Sequence, residues 1–298
     1  MNLPSTNVLV QVTFNGLLTG GVYALMASGL TLIFGVMRVI NIAHGAFLIL
    51  SAYIAYWLFT NFGLDPILSI ALTVPLFFLL GMFVQRALLS RQQGDPGFTV
   101  LVTFALALFL DGMMGSLWNT TQRTVRTSYT TKVYELLISD VNLRVPLVRL
   151  AGFGAAIVAL ILLYFLLMRS SLGRAIRATI QNHDAAQLVG VNVSRVQNMT
   201  MGIGLASVAI GGALFSLIWS FNSASNTAWI AKMLSVIVLG GMGSLPGALI
   251  AALIMGVVEA LASVTLRVYI SPIVFYVILF LTLLFRPQGL MGTRVREG

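Results

Sequence analysis

Arg38, Asn41 and His44 fall within seven residues of one another in MRVINIAHGAF (37–47), with Gly45 next in line and apolar stretches on both sides. A plain turn needs no such set. A helix starting near His44 would expose unpaired backbone N–H groups and the positive end of its dipole. Broken helices in transporters aim such ends at anionic solute groups. Asn41, His44 and Gly45 are therefore candidates for a translocation path. The competing reading is an interfacial turn whose polar side chains cap a helix and meet lipid headgroups. Metal ligation by His44 is discounted, because the other histidine, His183, lies alone in a distant polar segment and two isolated histidines make no site.

Two carboxylates fall inside apolar stretches, Asp111 and Glu259. Intramembrane carboxylates are costly and usually face a polar interior or a partner. Asp111 is a candidate path residue. The alternative is an interhelical hydrogen bond, with Asn119 or Trp118 as the nearest partners in sequence, and Glu259 could instead snorkel to the outer interface. No cysteine is present, so disulfides, thiolate metal sites and a cysteine nucleophile are excluded. A membrane enzyme would need a carboxylate-based catalytic set, and neither acid has an evident partner. No catalytic and no metal residues are expected.

A second polar break is LGGMGSLPG (239–247), with four glycines and a proline. No Lys-Ser/Thr follows the glycines and no G-x-x-x-x-G-K-[ST] occurs in the chain, so nucleotide phosphate binding is not expected here. Gly241 and Gly243 join the candidate path. Gly45-Ala46-Phe47-Leu48 and Gly247-Ala248-Leu249-Ile250 have related layouts and could be equivalent positions in two pseudo-symmetric halves.

The elements that position these residues follow from composition. Of 298 residues, 58% are hydrophobic and only 8% charged; mean hydropathy is +0.98. Soluble domains are about 25% charged. Lipid must be the solvent for much of this chain. The net charge of +9 sits in short polar breaks, as the positive-inside rule expects, and not as a nucleic-acid surface. Residues 1–7 carry no basic side chain, so no cleavable signal peptide is expected.

Crossing about 30 Å of hydrocarbon takes about 20 apolar residues. Candidate spans are 8–36, 44–60, 66–85, 97–118, 148–168, 196–220, 230–262 and 270–285. The stretch 230–262 is too long for one crossing and should break at its glycines. The stretch 8–36 is also long and could be tilted or broken at Gly20-Gly21. The expected fold is one all-α polytopic membrane domain spanning 1–298. It has about eight or nine transmembrane segments, some broken or re-entrant. Counting crossings places 86–95, 169–195 and the C-terminal tail on one side, with nine arginines against five basic residues in 119–149. The arginine-rich side is expected to be cytoplasmic, with Arg38 there too, and 119–149 periplasmic, Thr-rich and partly extended. Gly112, Gly115 and Ser116, and Gly202, Gly204, Gly211 and Gly212, would let helices approach closely, within the subunit or at a subunit interface.

In the cytoplasmic segment 170–195, Leu172, Ile176, Ile180 and Leu188 recur at helical spacing. Arg174, Arg177, Gln181 and Asp184 mark the polar face, and Gly190 is a plausible terminator. By pattern this is a short amphipathic helix, which could simply lie on anionic headgroups. Asp184-Ala185-Ala186-Gln187-Leu188-Val189-Gly190 is similar to the E-A-A-x-x-x-G core of the coupling loop in permease subunits of bacterial ABC importers. Asp stands for Glu, and the usual I-x-L-P is absent. Together with GLTLIFGVMRVINIAHGAF (29–47), LGRAIRA (172–178), GVNVSRV (190–196), VLGGMGSLPGALI (238–250) and FRPQGLMG (285–292), the chain resembles LivH-type permeases of branched-chain amino acid ABC importers.

That resemblance implies a subunit of the bacterial inner membrane that forms half a pore with a second, related permease. Two ATP-binding cassette subunits would bind the ATP, so the chain needs no cofactor of its own. A periplasmic binding protein would deliver a branched-chain amino acid or a related amino acid or amide solute. Arg174, Arg177, Asp184, Ala185 and Gly190 would couple the pore to the ATPase. The alternative is an ion-gradient-driven secondary transporter or channel acting as a homo-oligomer.

Overall fold

The computed structural model describes residues 5–90, 96–138, 141–266 and 270–292. Along the chain the helices are α1 (Thr6–Met37), α2 (His44–Phe62), α3 (Pro66–Val84), α4 (Pro96–Trp118), α5 (Leu147–Arg169), α6 (Ser171–Gln181), α7 (His183–Leu188), α8 (Val193–Ile218), α9 (Asn226–Gly240), α10 (Leu245–Thr265) and α11 (Ile273–Phe285). α3 runs on through a π turn at Gln85–Leu89. Seven of these helices are long and apolar enough to cross a bilayer, namely α1 to α5, α8 and α10. The all-α polytopic expectation holds.

Nearly every span is apolar all round, so hydrophobicity alone does not say which one lies inside. Small residues decide it. Gly16 and Gly20 of α1 are four apart, on one face, and that face meets α10. A Cβ at Gly16 would lie 2.8 Å from the Gly256 carbonyl oxygen, and one at Gly20 would lie 2.8 Å from the Leu253 Cα. In lipid, where apolar surface gains little by leaving the solvent, such backbone-to-backbone approach is what holds helices together. α1 and α8 form the centre, each with 83% of its most apolar window buried, whereas α4 has 22%. The break considered at Gly20-Gly21 does not occur, and α1 is one continuous helix. Those glycines serve packing instead.

The predicted break in 230–262 does occur: α9 stops at Gly240, and α10 restarts at Leu245 with Pro246 in its first turn, where a missing N–H costs nothing. The polar loop 119–149 carries an antiparallel hairpin, β1 (Val133–Ile138) with β2 (Val141–Pro146). It is fastened to the bundle. Tyr129 donates to both Asp65 carboxylate oxygens at 2.9 and 2.8 Å, Arg123 and Phe221 form a backbone bridge, and Gln11 pairs with the Arg144 backbone. Burial, reinforced by the bond to Asp65, raises the Tyr129 phenol above its usual range.

The molecule thus has a hairpin end and an arginine-rich end. At the second lie Arg38, α6, α7, the turn 241–244 and the segment 286–292. Of the arginines used to assign sidedness, Arg91, Arg294 and Arg296 lie outside the described residues.

Candidate functional site

α1 serves as a ruler. It ends at Met37, and Arg38 follows with φ 54°. The chain then turns back into the bundle instead of running along its surface. His44 pairs through Nε2 with the Met26 carbonyl at 3.2 Å. Met26 lies eleven residues before Met37, about 16 Å along the helix at 1.5 Å per residue. On the way, Ile42 N–H donates to Thr103 Oγ1 at 3.3 Å and Asn41 Nδ2 donates to Met201 Sδ at 3.8 Å. α2 therefore begins deep inside. Asn41 is 2% exposed and His44 0%. The interfacial-turn reading is overturned, because neither side chain can reach a headgroup.

A second helix begins at the same depth from the other direction. After α8 ends near the hairpin, residues 219–225 return into the bundle, and α9 starts at Asn226. A Cβ at Gly45 would lie 2.8 Å from the Ile230 Cβ and 2.9 Å from the Asn226 carbonyl oxygen. The N-terminal ends of α2 and α9 are thus in contact, and they point their helices to opposite ends of the molecule. Two positive dipole ends meet in the low-dielectric interior. Asp111 answers one of them. Its carboxylate accepts a hydrogen bond from Asn226 Nδ2, on the first residue of α9. The sequence-based guess of Asn119 or Trp118 as partner is corrected. Asn119 is eight residues further along, about 12 Å away on a helix.

Three buried polar atoms here have no hydrogen-bond partner: Asn41 Oδ1, His44 Nδ1 and Asp111 Oδ1. Each such atom costs about 1–3 kcal/mol. All three belong to side chains singled out from sequence, and Asn226 joins the two parts of the site. Asn226 was missed; its signal is a polar side chain opening an apolar helix.

Gly241 and Gly243 lie elsewhere. Gly243 packs on Gly35, two residues from the end of α1. Gly241, with φ 100°, lets the tail fold back so that Leu290 N–H and Met291 N–H donate to the carbonyls of Leu239 and Gly240 at 2.7 and 3.0 Å. These bonds satisfy the otherwise unpaired last turn of α9. The layout shared by 45–48 and 247–250 does not make them neighbours or equals in depth.

Glu259 does not snorkel alone. Lys232 Nζ lies 2.7 Å from its Oε1 and Tyr23 donates to its Oε2 at 2.5 Å. Lys232 also sits over the rings of Trp229, Phe275 and Tyr23 at 4.5, 5.0 and 5.7 Å. The signal for this pair was present in sequence as one cation and one anion in the two halves of a broken span.

At the arginine-rich end, the amphipathic segment is two helices. Asn182 takes an extended conformation (ψ 115°), and its side chain caps α7 by accepting from Ala185 N–H at 2.9 Å. The turn re-aims everything after it. Leu188, expected on the buried face with Ile176, is 89% exposed, and Val189 is 79% exposed. Asp184 and Ala185 are also exposed, and Gly190 ends α7 with φ 86°. Arg174 is exposed, while Arg177 donates to the Leu167 carbonyl and so ties α6 to the end of α5.

Residues 12–285 match the family model described as branched-chain amino acid transport system / permease component. The chain is 26% identical to the high-affinity branched-chain amino acid transport system permease protein LivH of Salmonella typhimurium, over 95% of each chain. It is 26% identical to BraD of Pseudomonas aeruginosa, a permease of the same description, over 97% of this chain and 98% of that one. It is also 28% identical to the fructose import permease protein FrcC of Rhizobium meliloti, over 73% of this chain and 61% of the relative. A multi-pass inner-membrane protein built on broken helices, matched from end to end in this way, belongs to the family of branched-chain amino acid transport system permease components.

Proposed function

We propose that the chain is one half of the pore of an ATP-driven importer for branched-chain amino acids or related amino acid and amide solutes. A second, related permease completes the pore, two ATP-binding cassette subunits hydrolyse ATP, and a periplasmic binding protein supplies the solute. In this reading the arginine-rich end is cytoplasmic and the hairpin end is periplasmic. The observation that carries it is the exposed tip of α7. Leu188 and Val189 stand in solvent beside Asp184 and Gly190, at the end of a segment anchored to α5 by Arg177. An apolar tip with a polar rim fits a groove on another protein. Movement of that tip would reach α5 and the adjacent end of α1.

The junction of α2 and α9 is the gate in this reading. Its helix ends and orphan polar atoms are closed off, with Asn41 and His44 both buried. Sliding α2 against α9 would open it and release three hydrogen-bonding atoms to a passing solute. Away from that junction, Lys232 holds Glu259 in an ion pair, which weighs against the use of Glu259 in proton coupling.

The solute is the finer part. Identity near 26–28% is shared by relatives described for branched-chain amino acids and for fructose. Co-purification tests the assembly. The tagged chain, expressed with its genomic neighbours and extracted in mild detergent, should bring down an ATPase and a second permease. Leu188→Asp with Val189→Asp should lose the ATPase and keep the permease. A chain that comes down alone defeats the importer reading.

A further inference from the structure

At the hairpin end, a cavity of about 300 Å³ lies between the outer parts of α1, α5 and α10, lined by Asn15, Thr19, Tyr23, Arg149, Glu259 and Ser263 among others. It is separate from the α2–α9 junction. Its chemistry is uneven in an informative way. Every described acidic residue is already committed or remote. Asp65 holds Tyr129, Asp111 holds Asn226, Glu135 holds Arg144, Glu259 holds Lys232, and Asp184 stands in solvent at the opposite end. Arg149, in the first turn of α5, has no hydrogen-bond or ion-pair partner among the described residues. Lys232 and Glu259 neutralise each other, so among the described residues the cavity's guanidinium has no counter-charge. Asn15 Oδ1, an acceptor on the α1 wall, is buried and also unpaired.

A desolvated guanidinium without a counter-charge is costly, and a carboxylate is the group its planar fork matches best. We propose that this cavity is a solute-binding subsite of the permease for a small zwitterionic carboxylate: Arg149 holds the carboxylate, while Asn15 Oδ1 accepts from the ammonium. Val12, Ala260 and Trp219 supply apolar lining for a short side chain. The volume lies at the small end of the usual range for ligand pockets. This inference rests on the amino acid reading of the solute, and it adds that the permease itself recognises the head group before the gate.

The test uses the assembled complex in nanodiscs and three probes that carry the same isobutyl group: L-leucine, isovalerate, which has a carboxylate and no ammonium, and isoamylamine, which has an ammonium and no carboxylate. Binding is read by calorimetry without the binding protein. L-leucine and isovalerate should bind and isoamylamine should not. Arg149→Gln should weaken L-leucine at least tenfold, with Arg149→Lys recovering part of the loss. Asn15→Leu should weaken L-leucine more than isovalerate. A complex that transports leucine yet binds none of the probes, or binds them equally in Arg149→Gln, overturns the subsite and leaves the importer reading intact. A complex that moves no amino acid but still binds isovalerate through Arg149 fails the amino acid reading and the zwitterion assignment together. Native mass spectrometry adds the last arm. Phospholipid held in an Arg149-dependent way, with no carboxylate binding, makes this a headgroup site and overturns the proposal.

Discussion

The two breaks in the helical bundle share a sequence signature and differ in depth. Both place glycine and alanine at the head of an apolar helix. Measured along α1, the start of α2 pairs with Met26, about 16 Å from Met37, whereas the turn before α10 packs on Gly35. The deep break meets another helix start and leaves polar atoms unpaired. The shallow break meets the C-terminal tail and has its carbonyls satisfied. A Gly-Ala helix start therefore reads as a path or as a hinge only once its neighbours are known. Unpaired polar atoms at depth mark the first, and a completed cap near a helix end marks the second.

The largest effect that would sharpen this contrast is expected at Gly45. Its replacement by leucine forces side-chain atoms into Ile230 and the Asn226 carbonyl, and overpacking of this kind costs about 1–3 kcal/mol or more. Solute uptake in proteoliposomes should be abolished while Leu188-dependent ATPase association persists. Uptake at the wild-type rate would remove the α2–α9 junction from the path.

Next comes the Asp111–Asn226 pair. Asn226→Leu leaves a half-buried carboxylate without its donor, at a cost of about 1–3 kcal/mol. Thermal melting of the detergent-solubilised protein should fall by several degrees. Adding Asp111→Asn to that variant should cost less than the two single changes predict. Strict additivity would mean that the pair does not act as a unit.

A smaller effect is expected at the shallow break. Gly241→Ala strains a residue at φ 100° and presses on the tail, for about 1–3 kcal/mol. Hydrogen exchange at the Leu290 and Met291 amides should quicken, with uptake reduced but present. If uptake is lost as fully as in Gly45→Leu, the two breaks are functionally alike and the comparison fails.

The smallest effect lies away from both breaks. Tyr129 has its phenol raised by burial and by Asp65. In the folded state the protonated form is favoured, so this contribution is whole below the ordinary tyrosine range near pH 10 and declines above it. The wild type should lose thermal stability above about pH 10 more steeply than Tyr129→Phe. Parallel pH profiles would mean that the loop is held by other contacts.

Much of the arrangement was legible because lipid imposes simple rules. Segment lengths, the split of 230–262 and the polar character of 119–149 followed from hydropathy and helix breakers. Glycine was the ambiguous letter. Gly20-Gly21 read as a possible break and proved to be a packing face, because a continuous helix meeting Gly256 is denser than an interrupted one. Leu188 read as buried by its spacing, and a single extended residue at Asn182 turned it outward. Arg38, Asn41, His44, Gly45 and Asp111 were all singled out from the chain alone. Their grouping was not, since Asn226 reaches Asp111 across 115 residues of sequence.

By itself the sequence determined the solvent this protein lives in, the place and order of its apolar segments, and which polar residues must be exceptions to them; it expected eight or nine crossings, where seven described helices are long and apolar enough. Those depend on composition and period, which are local. Only the tertiary structure decided how deep each break lies, which carboxylate meets which donor, and that no described carboxylate pairs with Arg149. Depth and pairing depend on how helices distant in sequence cross, and in a uniformly apolar chain no local pattern encodes that crossing.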